Sequence, residues 1–349
     1  MVNRLGKTPT NLVEANKISV ALCTYNGERF LSEQLESFAE QTRLPDEIVI
    51  GDDGSNDRTV EIIENFAKAV SFPVRLKINE KNLGSTENFA QTIVRCRGNL
   101  IFLSDQDDVW LPEKIERIAA EFADSPKVGL VFSDAEIVDA NLASLNRKLS
   151  NLTFSPQISR AVEEKSFFEF LLLRNYVTGA TMAFRAQFRD KFLPFPLDIP
   201  EMIHDAWIAF VLVANADFRF LDETLIKYRQ HDGQQLGIFA KNEFENLSRE
   251  EHYVKVIALA RQTKIRVERI LREIDGHPQM FARRDFIKDV GEKEINKLNR
   301  RIIHHEKRKN LSRSRIKRLA PIAEELFSGR YHKVSRGFLS AAKDLFGDI

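Results

Sequence analysis

Short apolar runs alternate with amphipathic segments along the first 140 residues of the chain. The runs lie at residues 18–23, 47–50, 74–78, 100–103 and 128–132 and are rich in Val, Ile, Leu and Phe. Such runs, bounded by polar residues, are typical of strands buried on both faces of a sheet. Between them, apolar residues recur at helical spacing. The alternation predicts a mostly parallel, doubly wound α/β sheet.

The pattern becomes less regular beyond residue 140. The elements that we predict there are, in order, a loop over 141–159, a short helix over 167–173, a strand over 178–184, an apolar helix that begins near His204, and two short strands over 218–221 and 225–228. From about residue 240 the chain is charged and helical in character, without strand-like runs. We therefore divide it into an N-terminal tail (1–16), an α/β domain (17–240) and a basic helical region (241–349).

The C-terminal region carries an excess of positive charge. The last 49 residues hold 12 Lys or Arg against 5 Asp or Glu. One interpretation is a solvated face on a helical tail. Another is peripheral contact between basic helices and an anionic membrane surface. Binding of nucleic acid is the third, but no recognition motif accompanies the charge, and we expect no nucleic-acid partner.

The overall composition is that of a globular protein. Hydrophobic residues make up 43% of the 349 residues, which is enough for a normal core. The formal net charge of +1 gives no global argument for nucleic acid or membranes as partners. Cys23 and Cys96 lie in apolar segments, which indicates buried free thiols and a reducing compartment.

Neither a signal peptide nor a membrane span is expected. Residues 1–17 are polar and lack an apolar h-region. The longest apolar run, 206–214, is much shorter than the roughly 20 residues that span a bilayer. We expect a cytoplasmic protein, with peripheral attachment at the inner face of the membrane as the alternative.

Acidic residues follow two of the predicted strands. Asp52 and Asp53 come directly after the second strand, and Asp105, Asp107 and Asp108 follow the fourth. Ligands bind at the carboxyl ends of the strands in open α/β sheets. Carboxylates this close together repel one another unless a cation lies between them, so Mg²⁺ or Mn²⁺ is the expected cofactor.

Four motifs give the chain a family resemblance. They are Cys-Thr-Tyr-Asn-Gly-Glu at 23–28, Gly-Asp-Asp-Gly-Ser at 51–55, Ser-Asp-Gln-Asp-Asp-Val-Trp at 104–110 and His-Asp-Ala-Trp at 204–207. Because these motifs occur in this order and at the predicted strand ends, residues 17–235 resemble family 2 glycosyltransferases of the GT-A fold. The third motif, together with Tyr-Arg-Gln-His at 228–231, resembles bacterial rhamnosyltransferase-type enzymes that act on surface polysaccharides.

The resemblance implies roles for the residues of the later motifs. Asp205 would be the general base that takes the proton of the acceptor hydroxyl, although a carboxylate at a helix start is also stabilised by the helix dipole. Asp105 would contact the ribose or the donor sugar, and Asp107 would bind the metal. His231 would be a further metal or diphosphate ligand, or a plain surface histidine. Asp108 is assigned to a supporting position or to a helix cap.

The resemblance also implies a nucleotide-sugar pocket at the first two strand ends. Asp52 and Asp53 would bind the nucleotide, with Asp53 the partner of the base N–H. Thr24 and Tyr25 would line the same crevice, and Glu28 would reach the nucleoside; simple packing is the other interpretation of Tyr25. The last member of the predicted set is Asn88, which matches a recurring asparagine of the family or is a helix-surface amide.

The predicted function is an inverting, metal-dependent transfer of a sugar, with rhamnose as the candidate. The donor would be a nucleoside-diphosphate sugar and the acceptor a saccharide or a lipid-linked molecule in cell-surface polysaccharide biosynthesis. The Gln-x-x-Arg-Trp motif of processive synthases is missing, which favours a non-processive hexosyltransferase. The alternatives are a nucleotide-sugar-binding scaffold and a nucleotidyltransferase. The sequence lacks Gly-x-Gly-x-x-Gly and Gly-x-x-x-x-Gly-Lys, which argues against dinucleotide and P-loop enzymes.

Overall fold

The computed structural model describes residues 16–234 and 247–347. These residues form two compact units. The α/β unit contains the chain up to residue 234, except Asp198–Pro200, together with Gln279–Arg283. The helical unit contains Asp198–Pro200 and residues 247–278 and 284–347. The predicted domain boundary at residue 240 and residues 1–15 of the predicted tail lie outside the described residues.

Four parallel strands form one half of the sheet in the α/β unit. They are β1 (Ile18–Thr24), β2 (Glu47–Asp52), β3 (Val74–Ile78) and β4 (Leu100–Ser104). Their order is β3-β2-β1-β4, so all four carboxyl ends lie at one edge. All residues of β1, β2 and β4 are buried, as expected for strands covered on both faces. The predictions for these strands are confirmed.

The other half of the sheet is mixed. It contains β5 (Val109–Trp110), β6 (Val128–Val138), β7 (Ser144–Lys148), β8 (Met182–Arg185) and β9 (Asp217–Arg229). In the described residues the nine strands form one sheet in the order β3-β2-β1-β4-β8-β6-β9-β5, with β7 paired to β6. Strand β8 is antiparallel to β4 and β6, whereas β9 is parallel to β6. This arrangement confirms the predicted, mostly parallel α/β fold.

Helices cover both faces of the sheet. They are α1 (Leu31–Ala39), α2 (Thr59–Ala69), α3 (Ser85–Arg95), α4 (Lys114–Asp124), α5 (Leu149–Thr153), α6 (Pro156–Glu163), α7 (Phe168–Leu173), α8 (Arg189–Phe192) and α9 (His204–Asn215). Helices α1 and α4 bury Leu35, Phe38, Ile118 and Phe122 against the sheet. Helix α9 is apolar on all sides and is buried from residue 204 to 214, which holds its first turn rigidly.

Three parts of the prediction beyond residue 140 are wrong. The predicted loop over 141–159 contains β7, α5 and the start of α6. Strand β7 is polar because it is an exposed strand that pairs with β6. The two predicted strands at 218–221 and 225–228 are one strand, β9, because shifts in its register with β6 accommodate the polar residues between them. The predicted strand over 178–184 begins with a 3-10 turn at Gly179–Thr181 and becomes extended at Met182.

The helical unit confirms the helical character of the C-terminal region. Its helices are α10 (Arg249–Gly276), α11 (Arg284–Lys309), α12 (Arg315–Phe327), α13 (Arg330–Val334) and α14 (Phe338–Phe346). Helices α10 and α11 share a small apolar core around Ile257 and Leu298. Leu311, Ile322 and Tyr331 form a second core beneath α12 to α14. In the part of the chain that the structure describes, no helix combines the length and the apolar character needed to cross a membrane.

Candidate functional site

A cleft of about 450 Å³ lies at the carboxyl ends of the parallel strands in the α/β unit. It brings together eight of the ten predicted site residues: Thr24, Tyr25, Asp53, Asn88, Asp105, Asp107, Asp205 and His231. The other two, Glu28 and Asp52, are not among the residues that line it. The sheet topology places β1, β2 and β4 side by side, and the start of α9 contributes His204 and Asp205 to the lining of the cleft. Residues that are up to 207 positions apart therefore meet in one place.

The two aspartates after β2 have different surroundings. Asp53 lines the cleft, where one carboxylate oxygen accepts hydrogen bonds from Asn79 Nδ2 and Leu83 N (both 2.9 Å) and the other accepts one from Gly84 N (2.8 Å). The carboxylate thereby joins the end of β2 to the start of α3. Asp52 is fully buried and accepts a hydrogen bond from Thr24 Oγ1 at 2.8 Å. It also accepts hydrogen bonds from Ser55 N (2.9 Å) and Ser55 Oγ (2.6 Å), and a direct contact with the nucleotide stays a prediction.

Asn88 is buried and does not lie on the helix surface, whereas Tyr25 is exposed and does not pack in the core. Asn88 is only 2% exposed, and its Nδ2 donates a hydrogen bond to the carbonyl oxygen of Gly51 at 2.7 Å, so the helix-surface interpretation is wrong. Tyr25 is 46% exposed at the mouth of the cleft, so its ring is not packed in the core. Glu28 accepts a hydrogen bond from Arg58 N at 3.1 Å, outside the cleft lining.

Gln106 is a cleft residue that sequence reasoning did not select. Its Oε1 accepts a hydrogen bond from Tyr25 N (2.8 Å), and its Nε2 donates one to the Tyr25 carbonyl oxygen (3.0 Å). This pair of bonds fixes the Tyr25 backbone against the loop after β4. The side chain also fills the space above Gly27, where an added Cβ would lie 2.3 Å from Oε1. Its position in the sequence, between the predicted site residues Asp105 and Asp107, could have indicated that it lines the cleft.

The acids after β4 are crowded. Burial, together with the charges of Asp107 and Asp205, raises the pKa of Asp105 to about 7. Asp107 Oδ2 lies 2.9 Å from His231 Nε2, and His231 Nδ1 accepts a hydrogen bond from Gly233 N at 3.2 Å. In the neutral imidazole, the proton therefore resides on Nε2 and points at Asp107. The side chain of His231 is 11% exposed and contacts an acid of the cleft, which argues against a plain surface histidine; its role as a ligand stays a prediction.

Asp108 supports the loop and does not cap a helix. It is 1% exposed, and its Oδ1 accepts a hydrogen bond from the backbone N–H of Arg229 at 3.0 Å. Helix α4 begins only at Lys114, so the interpretation as a cap is wrong. Burial raises the pKa of Asp108 well above its usual value, and Asp107 and Asp105 raise it further.

Arg229 fixes the backbone of the acidic loop. Its side chain is almost fully buried and pairs with Glu33 of α1. Nε donates to the Asp107 carbonyl oxygen and Nη1 to the Ala140 carbonyl oxygen, both at 2.6 Å. The guanidinium also lies 4.4 Å from the ring centre of Phe30. Sequence reasoning used the surrounding Tyr-Arg-Gln-His motif only for resemblance and missed this role.

Lys114 is a second cation that sequence reasoning missed. It is fully buried, 4.2 Å from the Trp110 ring centre, and its Nζ donates to the Ala180 carbonyl oxygen at 2.5 Å. Burial lowers its pKa to about 7, while Asp108 and Asp105 act in the opposite direction. Lys114 therefore offsets part of the negative charge of these acids.

Asp205 lies in the first turn of α9 and is 7% exposed. Its Oδ2 accepts a hydrogen bond from Gly179 N at 3.1 Å, and its Oδ1 accepts one from Ala206 N at 2.6 Å. The 3-10 turn at Gly179–Thr181 thus orients the carboxylate within the cleft. The neighbouring His204 stacks on Phe89 with ring centres 4.0 Å apart, and burial lowers its pKa to about 3, so the ring is neutral.

The ligand types in the cleft suit a divalent cation. Carboxylate oxygen and imidazole nitrogen, as in Asp107 and His231, both bind Mn²⁺, and the excess of buried carboxylates favours positive charge. Among the described residues, however, no group of three or more His, Cys, Asp or Glu side chains is arranged to hold a metal.

The sequence profile of glycosyl transferase family 2 matches residues 19–190. These residues, about half of the chain, carry a domain of this family. The matched segment contains the first three motifs, whereas Asp205 and His231 lie beyond it. This match confirms the predicted family and class of enzyme for residues 19–190. The roles of the individual residues stay predictions.

The relatives of this chain are similar to it at low sequence identity. An uncharacterized glycosyltransferase of Nostoc sp. is 28% identical over 221 residues, which are 62% of this chain and 65% of that protein. The dTDP-rhamnosyl transferase RfbG of Shigella flexneri is 28% identical over 229 residues, which are 62% of this chain and 73% of that protein. The chain spans less than two thirds of several relatives, with 59% for an uncharacterized Mycobacterium tuberculosis protein.

Among solved structures, that of Staphylococcus aureus TarS 1-349 in complex with UDP-GlcNAc aligns with a TM-score of 0.49 and 19% identity. The alignment covers 90% of this chain and 92% of that one. The strand order of the α/β unit and the family match both support the predicted α/β fold.

Proposed function

We propose that this glycosyltransferase moves a sugar from a nucleoside-diphosphate sugar to a saccharide or lipid-linked acceptor, with inversion at the anomeric carbon. The observation that carries the proposal is the convergence of Asp105, Asp107 and Asp205 in one cleft beside Asp53 and His231. The Shigella relative is named a dTDP-rhamnosyl transferase, which supports rhamnose as the candidate sugar.

The nucleoside would occupy the side of the cleft formed by β1 and β2. There Tyr25 presents an exposed ring for stacking, and Asp53 and Asn88 line the wall. Most of the carboxylate capacity of Asp53 is taken by Asn79, Leu83 and Gly84, so its remaining lone pair would receive the base N–H. The donor sugar would then lie towards Asp105.

Asp107 and His231 would hold Mg²⁺ or Mn²⁺ beside the diphosphate. Two protein ligands are enough for such a site, because these cations usually complete their coordination with substrate phosphate oxygens and water. A bound cation neutralises charge on the departing diphosphate. The Nε2 proton of His231 points at Asp107 without a cation, so cation binding at this nitrogen requires the other tautomer and loss of the bond from Gly233 N.

Asp205 would accept the proton of the acceptor hydroxyl. The hydroxyl oxygen attacks the anomeric carbon on the face opposite to the diphosphate, a new C–O bond forms, and the bond to the phosphate oxygen breaks. The backbone N–H groups of Gly179 and Ala206 stabilise the ionised carboxylate and hold it in place before the acceptor arrives. The protonated side chain then returns its proton to solvent.

A panel of nucleotide sugars tests this proposal. We expect one donor to raise the melting temperature of the protein in the presence of Mn²⁺ and to release nucleoside diphosphate when an acceptor or water is present. Chelation of the cation should abolish both effects. Release at an unchanged rate after chelation would contradict the cation requirement, and stabilisation by no nucleotide sugar would contradict the proposed donor class.

Replacement of Arg229 by methionine tests whether the buried cation positions the acidic loop. The substitution removes the pair with Glu33 and two bonds to carbonyl oxygens, so we expect a loss of about 3 kcal/mol in the free energy of unfolding, measured with urea. Because one of those carbonyls belongs to Asp107, donor affinity should also fall, by about tenfold or more.

Arg185→Met is the matched control for this substitution. Arg185 donates hydrogen bonds to the carbonyl oxygens of Val128, Phe122 and Ser125 and lies 5.2 Å from the ring centre of Phe122. It does not line the cleft. We expect a similar loss of stability with unchanged donor affinity at temperatures where both variants are folded. Equal donor affinities in the two variants would show that Arg229 acts on stability alone.

A further inference from the structure

An apolar stripe runs along the outer side of α12 in the helical unit. Ile316, Leu319 and Phe327 are 80%, 52% and 93% exposed, and Ala320 and Ala323 lie between them. Ile316 is three and four residues from Leu319 and Ala320, and Ala323 is four residues from both Leu319 and Phe327, so all five lie on one side of the helix. The opposite side of α12 already packs into the core of the unit. The stripe is therefore not needed for the packing of its own helix.

Helix α14 exposes apolar residues in the same way. Phe338, Leu339 and Phe346 are 69%, 74% and 65% exposed, and the last two are seven residues apart on one side of the helix. Arg315 Nη2 donates a hydrogen bond to the Phe346 carbonyl oxygen at 3.3 Å, so the end of α14 lies beside the start of α12. We call the exposed set the apolar face: Ile316, Leu319, Phe327, Phe338, Leu339 and Phe346.

The acidic residues around the apolar face are neutralised within the unit. Residues 311–347 contain three acids. Glu324 pairs with Lys307, Glu325 pairs with Arg330, and Asp344 pairs with Arg308. Six other bases of the segment are exposed: Arg313, Arg315, Lys317, Lys333, Arg336 and Lys343. The surroundings of the apolar face are therefore strongly positive.

We propose that the apolar face and these exposed bases dock the protein on an anionic lipid bilayer. Exposed Phe, Leu and Ile side chains insert at the boundary between headgroups and acyl chains, while Lys and Arg contact anionic headgroups. Soluble proteins rarely leave a large apolar patch in water without a partner. A second copy of the chain fits less well, because symmetric pairing of this face would place bases against bases.

Vesicle flotation with the full chain tests the docking surface. We expect binding to vesicles of equal parts phosphatidylcholine and phosphatidylglycerol, weak binding to phosphatidylcholine alone, and release at high salt. Phe327→Ser combined with Leu339→Ser should lower the partition coefficient by about tenfold or more. Lys317→Ser combined with Lys343→Ser should lower it by roughly tenfold on the anionic vesicles only.

Val94→Ser combined with Leu197→Ser is the matched control. These side chains are 62% and 73% exposed in the α/β unit and do not line the cleft, so vesicle binding should stay unchanged. Circular dichroism verifies that every variant is folded. Equal flotation of all variants, or equal binding to neutral vesicles, would overturn the proposal. So would a concentration-dependent dimer that the Phe327 and Leu339 substitutions abolish without lipid, which would assign the face to a second copy.

The measurement is independent of sugar transfer, because lipid binding is read out without donor or acceptor. Loss of flotation in the apolar-face variant with unchanged release of nucleoside diphosphate supports the docking surface alone. Conversely, a failure of the nucleotide-sugar panel leaves the result of the flotation experiment intact.

Discussion

Asp205→Asn is expected to lower the turnover number for sugar transfer by about 10³-fold, with less than about a twofold change in donor affinity. The amide keeps the shape of the carboxylate, but its single oxygen can accept only one of the two bonds from Gly179 N and Ala206 N, and it cannot take a proton. In the proposed mechanism donor binding depends on Asp107 and Asp53, which also line the cleft. Steady-state release of nucleoside diphosphate and calorimetric donor binding measure the two effects separately.

The alternative role of Asp205 is stabilisation of the α9 N-terminus through the helix dipole. If that were its main role, asparagine would retain turnover and only lower the melting temperature. Asp285→Asn, in the first turn of α11, is the control for loss of a helix-start carboxylate outside the cleft and should leave turnover unchanged. Normal turnover of Asp205→Asn would remove this residue from the mechanism.

Asp107→Asn should abolish cation-dependent donor binding and lower turnover on the order of 10³-fold. Asp107 is the cleft carboxylate that lies beside His231, and a neutral amide is a weak ligand for a hard cation. Titration with Mn²⁺ at fixed donor concentration, followed by calorimetry, measures the cation dependence. His231→Gln should show a smaller loss of cation affinity, of about 10- to 100-fold.

Asp222→Asn provides the control for removal of a carboxylate from the same unit. Asp222 is exposed on β9, pairs with Lys148 and does not line the cleft. It should bind donor and cation normally. If Asp107→Asn kept full cation-dependent binding while His231→Gln lost it, the carboxylate would have another role and the proposed pair of ligands would be wrong.

The acids of the loop after β4 differ in their surroundings and in their proposed roles. Asp107 faces the cleft and contacts His231, whereas Asp108 is buried and accepts the N–H of Arg229. Asp105 lines the cleft, and burial together with the charges of Asp107 and Asp205 raises its pKa to about 7. Only some of the clustered carboxylates are therefore available to a ligand, although the sequence presents them as one group.

Local sequence was sufficient for the first half of the fold. Strands β1, β2 and β4 are continuous apolar runs that end in polar motifs, and a strand buried on both faces requires such a pattern wherever it occurs. The polar residues at their ends could be predicted to converge because parallel strands share one edge of the sheet. Eight of the ten predicted site residues line the cleft for this reason.

The second half depended on contacts that local sequence does not contain. Strand β7 is polar and exposed, and its extended conformation results from pairing with β6. The sequence of β9 appears as two short runs because the polar residues in its middle coincide with shifts in register, which depend on the partner strand. Pairing between distant segments decides both elements, so no pattern within either segment could have identified them.

The sequence by itself determined the family, the parallel strands and the acids at their ends, because each of these depends on residues close together along the chain. The tertiary structure alone decided which acids face the cleft, that Arg229 and Lys114 are buried beneath them, and that Asn88 is in the wall of the cleft. It also decided which side of α12 is left exposed. The physical reason is that burial and hydrogen bonding are set by neighbours in space, and those neighbours come from positions far apart in the chain.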